Sequence, residues 1–434
     1  MSRVHKLSLG LLMAAVAWQV AGNAIDTAMA QDAGAEGTES GMAPAAQTDP
    51  LIERGRYVAT ASNCVSCHSA PSKDAFAGGV AFVTDFGTIY STNITSDPAA
   101  GIGSWTFEQF TRAMREGIDA EGEHLYPAFP YPSFAKITDD DLTALYAYLK
   151  TIPASPAKPP ENEMGFPFNQ RGLMAVWNTL FFDGAPFQAD STKSEAWNRG
   201  AYLVEGLGHC GACHTPRNFL GAEDNGKALA GSVLQDKVVS GQIRRWAASN
   251  LTQAKSGLAA WTEDDIFAYL KTGHSARAGT FGPMDEVIGN STMRLTDDDA
   301  RAMAVYLKDL APIETSSAHE LSTDEKRRGD TLYSIHCGTC HLPTGLGATP
   351  GSELGPPLAG SAVVQAADPS SLINNILYGT KKPVELTSPS GWQNMKPLGN
   401  TLRDEEVAAI ATFVRGSWGN LGGPVTADQV AKQR

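Results

Sequence analysis

Three stretches of the chain carry apolar residues at helical spacing behind a polar start and a run of acids. Leu142, Leu145, Tyr146 and Leu149 follow Thr138-Asp139-Asp140-Asp141; similar stretches follow Thr296-Asp297-Asp298-Asp299 to Leu307 and Arg403-Asp404-Glu405-Glu406 to Val414. The spacing predicts three amphipathic helices. Thr138 and Thr296 are good N-caps, and the acids behind them favour the positive end of each helix. Well before each lies a shorter helical stretch containing one glycine: Glu53-Arg54-Gly55-Arg56-Tyr57, Asn198-Arg199-Gly200-Ala201-Tyr202 and Arg327-Arg328-Gly329 running to Tyr333. Gly- and Pro-rich loops and a further helical stretch lie between the opening and closing helices. The same unit is written three times, and the predicted class is all-α.

Units one and two are closer to each other than to the third. Tyr90 to Thr95 and then Trp105-Thr106 match Ala248 to Thr252 and then Trp261-Thr262. Asn93-Ile94-Thr95 and Asn250-Leu251-Thr252 formally read as glycosylation acceptors, but their place in the repeat suggests side chains near a cofactor edge. Four prolines between Pro153 and Pro160 end the first unit, and the polar stretch Ile313 to Ser322 joins the second to the third. Arg171 to Phe182 is too apolar for a solvated linker and predicts a buried helix packed between the chain's own units, with docking to a partner or a membrane surface as the alternative.

The ends and the charge add a compartment. Arg3, His5 and Lys6, the apolar run Leu7 to Val20 and Ala28-Met29-Ala30 form an export signal with a small-residue cleavage pattern. A bacterial periplasm follows, with peripheral attachment to the cytoplasmic membrane. The expected organisation is a signal peptide at 1–30, a flexible leader at 31–49, units at 50–153, 194–312 and 323–420, linkers at 154–193 (with the apolar helix) and 313–322, and a tail at 421–434. A formal net charge of −13 disfavours nucleic acid and suits transient docking to a basic patch on a redox partner.

Every cysteine in the chain belongs to a CxxCH motif: Cys64, Cys67 and His68; Cys210, Cys213 and His214; Cys337, Cys340 and His341. This is the attachment signature of c-type haem, in which each thiol bonds a vinyl group and the histidine reaches the iron. A structural zinc site would need a second ligand pair, and a redox dithiol usually accompanies a βαβ pattern. Three covalently bound haems c are therefore expected. Met284, in Phe281-Gly282-Pro283-Met284, and Met395, in Gln393-Asn394-Met395-Lys396-Pro397, stand where a distal ligand is needed. In unit one that place falls to Phe129, which cannot coordinate iron. His124 or a vacant position is the expectation there, with Met114 and Met164 as more remote donors. Pro71, Pro216 and one of Pro343 or Pro356 are candidates to offer carbonyls to the proximal imidazoles.

Opening helix, CxxCH, loops and closing helix follow the order of the class I cytochrome c fold. In that fold a glycine of the first helix admits an aromatic of the last; Gly55, Gly200 and Gly329 suit the first role, and Tyr146, Tyr306 and Phe413 the second. Gly122 to Ala128 with Pro130-Tyr131-Pro132-Ser133, Ala212-Cys213-His214-Thr215-Pro216-Arg217-Asn218, Phe281 to Met284, and Ser417-Trp418-Gly419-Asn420 with Pro424-Val425-Thr426-Ala427 resemble the three-haem cytochrome c subunits of bacterial periplasmic dehydrogenase complexes. The resemblance runs from about Leu51 to the C-terminus. It implies a non-catalytic electron-transfer subunit, fed by a partner carrying PQQ, flavin or a molybdenum cofactor and passing electrons to ubiquinone or another acceptor. Members of that group normally have Met where Phe129 stands. The alternatives are a peroxidase-like multihaem enzyme, with Glu123 and His124 beside an open haem, and a freely diffusing periplasmic carrier.

Overall fold

Thr138 and Thr296 cap the closing helices Asp139–Leu149 and Asp297–Lys308, their hydroxyls accepting from the amides of Asp141 and Asp299 at 3.3 and 3.2 Å. The third closing helix, Asp404–Gly416, has no hydroxyl at its start; Glu406 instead accepts from the Arg403 amide at 2.9 Å. These elements belong to a computed structural model that describes residues 49–71, 73–237, 241–347, 354–380 and 394–434. The expected signal peptide, and the leader up to residue 48, lie outside the described residues.

The opening helices are Pro50–Ala61, Glu195–Ala201 with a π-helical continuation Tyr202–Leu207, and Thr323–His336. Each crosses its closing helix in backbone contact. A Cβ added to Gly55 would stand 1.9 Å from the Ala144 carbonyl oxygen, one on Gly200 2.0 Å from that of Ala302, and one on Gly329 2.3 Å from Phe413 Cβ. The aromatic over the glycine is Tyr306 in the second repeat and Phe413 in the third, but in the first it is Tyr148, not Tyr146. Tyr148 lies four residues beyond Ala144, as Tyr306 does beyond Ala302, so one helical turn separates the contacting carbonyl from the covering ring. Tyr146 faces the other way, donating to the Trp105 carbonyl at 2.7 Å and packing on Phe107 and Phe110.

The helix-rich fold also contains two small sheets. Strands β1 (Ala81–Thr84), β2 (Gly87–Tyr90) and β3 (Glu163–Met164) form one antiparallel sheet in that order; β4 (Ser232–Lys237) and β5 (Ile243–Ala248) form a hairpin in which Ser232 faces Ala248. Each hairpin follows a CxxCH motif and precedes or contains the start of the Asn-x-Thr segment.

Repeats one and two share one apolar core. Val58, Leu142 and Leu145 from the first pack in the same cluster as Leu203, Val204 and Leu207 from the second, whereas Tyr333, Ile373, Val407, Ile410 and Val414 of the third form their own. The pairing is reciprocal. Asp141 accepts from Arg54 of its own repeat at 2.8 Å and from the Tyr202 hydroxyl of the other at 2.6 Å; Asp299 accepts from Arg199 of its own repeat at 2.7 Å and from Tyr57 of the other at 2.5 Å. This is the self-complementary arrangement of a two-fold interface, built inside one chain. The third repeat has Thr331 where the others have Tyr57 and Tyr202, and its hydroxyl turns back to the Arg327 carbonyl. It joins the pair through polar contacts on β5 instead: Ser371 Oγ with both the amide and carbonyl of Ala247, and Asn374 donating to the Arg245 carbonyl at 2.8 Å.

The apolar segment after the first repeat is helical at Leu173–Phe181, but none of its residues is buried. One face is anchored: Trp177 donates to the Leu220 carbonyl at 3.0 Å, and Asn178 accepts from the Tyr131 hydroxyl at 2.5 Å. Leu173, Val176 and Leu180 face outward at 48, 58 and 63 % exposure, which corrects the expectation of a buried helix. No helix among the described residues is long and apolar enough to cross a membrane.

Candidate haem sites

Each CxxCH motif forms a short helical turn after its opening helix: Cys64–His68, Gly211–His214 and Gly338–His341. Asn63 and His209 take positive φ (51° and 37°) to redirect the chain into the first two turns. The six thiols are free of disulfides. Desolvation, helped by the neighbouring thiol of the pair, pushes Cys64 and Cys210 up to about 12 and Cys337 to about 11, so these are not reactive thiolates at neutral pH. Among the described residues no group of three or more His, Cys, Asp or Glu is placed to hold a metal ion.

The three histidines share one geometry. Nδ1 of His68 lies 2.7 Å from the Thr92 carbonyl oxygen, that of His214 2.7 Å from Ser249 and that of His341 2.8 Å from Pro356. A carbonyl only accepts, so each Nδ1 carries the proton and Nε2 keeps its lone pair for a metal. Desolvation lowers all three imidazoles against the opposing pull of the carbonyl, which keeps them neutral, the ligating form. Of the prolines anticipated from sequence, Pro356 is an observed carbonyl partner. Pro71 and Pro216 are not: in the first two repeats the carbonyl comes from the residue just before the Asn-x-Thr segment, and the Pro216 oxygen accepts from the Asp224 amide at 2.7 Å.

That placement gives the Asn-x-Thr pairs, expected from their place in the repeat to put side chains near a cofactor edge, a structural role in the loop behind each imidazole. Asn93 is 3 % exposed; it donates to the carbonyls of Ser155 and Ala157 and accepts from the amide and hydroxyl of Thr95. Asn250, 2 % exposed, donates to the Ile313 carbonyl and accepts from both donors of Thr252. Neither amide is open to glycosylation. Each locks the loop whose preceding carbonyl orients the imidazole. Asn250→Ala would leave the Thr252 amide and the Ile313 carbonyl without partners and take the acceptor from the Thr252 hydroxyl, and a loss of about 2 kcal/mol in urea unfolding is expected. A change below about 0.5 kcal/mol would show that the loop is held by something else.

Met284 opens the helix Pro283–Asn290, just after Gly282, whose positive φ brings the backbone against the Trp246 ring. Met395 packs against the third core, its amide donating to Thr380 Oγ1 at 2.8 Å. Phe129 packs against the shared core with its ring 5.4 Å from Phe134. Two buried polar atoms near these segments, His124 Nδ1 and Trp246 Nε1, have no hydrogen-bond partner among the described residues. Paired thiols, imidazoles with a free Nε2 and buried polar atoms without partners fit covalently held haem. The first two motifs are also neighbours: Asn290 donates to Ser66 Oγ at 2.8 Å, His209 Nε2 lies 3.3 Å from the Ser62 carbonyl, and after desolvation the next influence on Cys67 is Cys213.

Fold and site together define a c-type cytochrome. The cytochrome c family model matches residues 52–153 and 327–418. The chain is 37% identical over 421 residues to the fructose dehydrogenase cytochrome subunit of Gluconobacter japonicus, covering 90% of this chain and 84% of that one. It is 39% identical over 407 residues to the gluconate 2-dehydrogenase cytochrome c subunit of Pantoea cypripedii, covering 89% and 90%. A nicotinate dehydrogenase subunit of Pseudomonas putida is 42% identical over 372 residues, 84% of this chain but only 30% of that longer protein. The chain belongs to the family of dehydrogenase cytochrome c subunits, and with it shares covalently bound haem c and a role in electron transfer.

Proposed function

We propose that the chain is built of three tandem class I cytochrome c-like domains (50–153, 194–312 and 323–420), carries three haems c, takes electrons from a dehydrogenase catalytic subunit and delivers them to ubiquinone or another respiratory acceptor. The observation that carries this reading is the repeated imidazole geometry, an Nδ1 on a backbone carbonyl at 2.7, 2.7 and 2.8 Å beside each pair of thiols. Cys64 and Cys67, Cys210 and Cys213, and Cys337 and Cys340 are the thioether anchors. His68, His214 and His341 are the proximal ligands, and Met284 and Met395 the distal ligands of the second and third haems. When bound, haem supplies reversible one-electron chemistry at iron. The protein's part is to hold the imidazoles neutral and oriented and to exclude water from their surroundings.

The partner is a catalytic subunit of PQQ, flavin or molybdenum type, by analogy with the fructose, gluconate and nicotinate dehydrogenases to which the relatives belong. The setting is the periplasmic side of the cytoplasmic membrane. The exposed stripe Leu173, Val176 and Leu180 supports contact with a partner or with the membrane surface rather than a span. The test is affinity purification of the full chain from its native membranes in mild detergent. A stoichiometric dehydrogenase subunit should co-purify, haem analysis should return three haems per chain, and the dehydrogenase's substrate should reduce them. A chain that purifies alone and stays oxidised would overturn this reading.

A further inference from the structure

The first and second repeats can be aligned on hydrogen bonds rather than on sequence. In both, a capping-box helix, Phe107–Glu116 or Glu263–Thr272, ends on a glycine of positive φ, Gly117 or Gly273. The carbonyl of that glycine then accepts at 2.7 Å from the amide of Leu125 in the first repeat and of Thr280 in the second. Four residues beyond Leu125 stands Phe129, and four beyond Thr280 stands Met284. The two side chains therefore hold the same place in the repeat, one with a thioether and one with a hydrocarbon ring.

His124 holds a different place in the repeat. Its backbone pairs with Ile118 as Gly279 pairs with His274, five residues short of the ligand position. Phe129 is not on a free loop. Its ring packs on Phe134, and Phe134 meets His209 edge-on at 5.4 Å, so the segment is fixed against the shared core of the two repeats.

Resting on the three-haem reading, we infer that the haem of the first repeat has His68 as its only protein ligand, and that its distal face, walled by Phe129, binds a small diatomic ligand such as carbon monoxide. Its neighbours, closed by Met284 and Met395, do not.

The experiment uses the full-length holoprotein, with haem counted first by pyridine haemochrome and mass. Reduced wild type is then titrated with carbon monoxide, and the ferric form is scanned for the near-infrared band of Met-ligated iron. Expected is one carbon monoxide per chain and two Met-ligated irons. Phe129→Met should abolish the uptake and add a third Met-ligated iron, and His124→Ala should leave the uptake unchanged. A haem count below three overturns the underlying reading and this inference with it. Three haems that take up no carbon monoxide, or that do so only in His124→Ala, overturn this inference alone, the second outcome naming His124 as the ligand.

Discussion

A Gly200→Val chain is expected to lose most of its folded, haem-loaded yield. The first added carbon alone would stand 2.0 Å from the Ala302 carbonyl oxygen and 2.8 Å from Tyr306 Cβ, and neither is the far end of a flexible side chain. The two helices would have to part, and they carry the contacts that join the repeats: Arg199 and Tyr202 lie on the opening helix and its continuation, and Asp299 on the closing one. Overpacking a well-filled core costs about 1–3 kcal/mol, more where backbone must move. A loss of at least about 3 kcal/mol is expected from a total stability of the order of 5–15. Gly172 is the control, because a Cβ there meets nothing within 4 Å and Gly172→Ala should be close to neutral. Soluble yield, haem per chain and the urea midpoint read the effect. A Gly200→Val protein within about 1 kcal/mol of wild type would contradict the close helix approach.

The second large effect is expected at Asp299, which is 8 % exposed. Asp299→Ala takes the carboxylate acceptor from the partly exposed Arg199 guanidinium and from the Tyr57 hydroxyl, which keeps only Thr296 as a partner, and a loss of roughly 3 kcal/mol is expected at neutral pH. The loss should depend on acidity. Burial raises the Asp299 carboxyl, but the Arg199 and Tyr57 hydrogen bonds outweigh it and hold the group below its ordinary value. A carboxyl depressed in the folded state contributes stability that is fully present above its unfolded pKa, about 3.9, and is lost as pH falls through the folded value. The gap between wild type and Asp299→Ala should therefore be level from neutral pH down to about 5 and narrow below about 4. Urea unfolding across that range measures it, and a gap that stays constant to about pH 2 would show that the carboxyl's charge is not what holds the joint.

Much of this architecture could be read from the chain because it is local and repeated. Thr138 and Thr296 with their acids mark helix starts wherever they occur, and the CxxCH motifs state their chemistry within five residues. What sequence missed depends on contact across distance. Helical periodicity places Tyr146 and Tyr148 on the same element but does not say which one lies over Gly55; that depends on where the Ala144 carbonyl meets the opening helix. The carbonyls on His68 and His214 come from 24 and 35 residues away, beyond any spacing rule. The duplicated Asn-x-Thr segments were the available signal for them. The helix Leu173–Phe181 has the composition of a buried element, yet composition does not reveal that nothing among the described residues covers Leu173, Val176 and Leu180. The exchange of Tyr57 and Tyr202 between repeats was hidden for a related reason. Both tyrosines and both aspartates occupy matching positions, and only the fold shows that each ring crosses to the other's acid.

That exchange makes the first two repeats a single unit of inheritance. A descendant could shed the third repeat near the connector at 313–322 and expose mainly polar partners such as Arg245 and Ala247 backbone. Losing the first or the second alone would uncover Leu203 and Val204, or Val58 and Leu142, and strand an arginine-paired aspartate without its tyrosine. Shortening of this chain is therefore constrained to proceed from its C-terminal end and to stop at two.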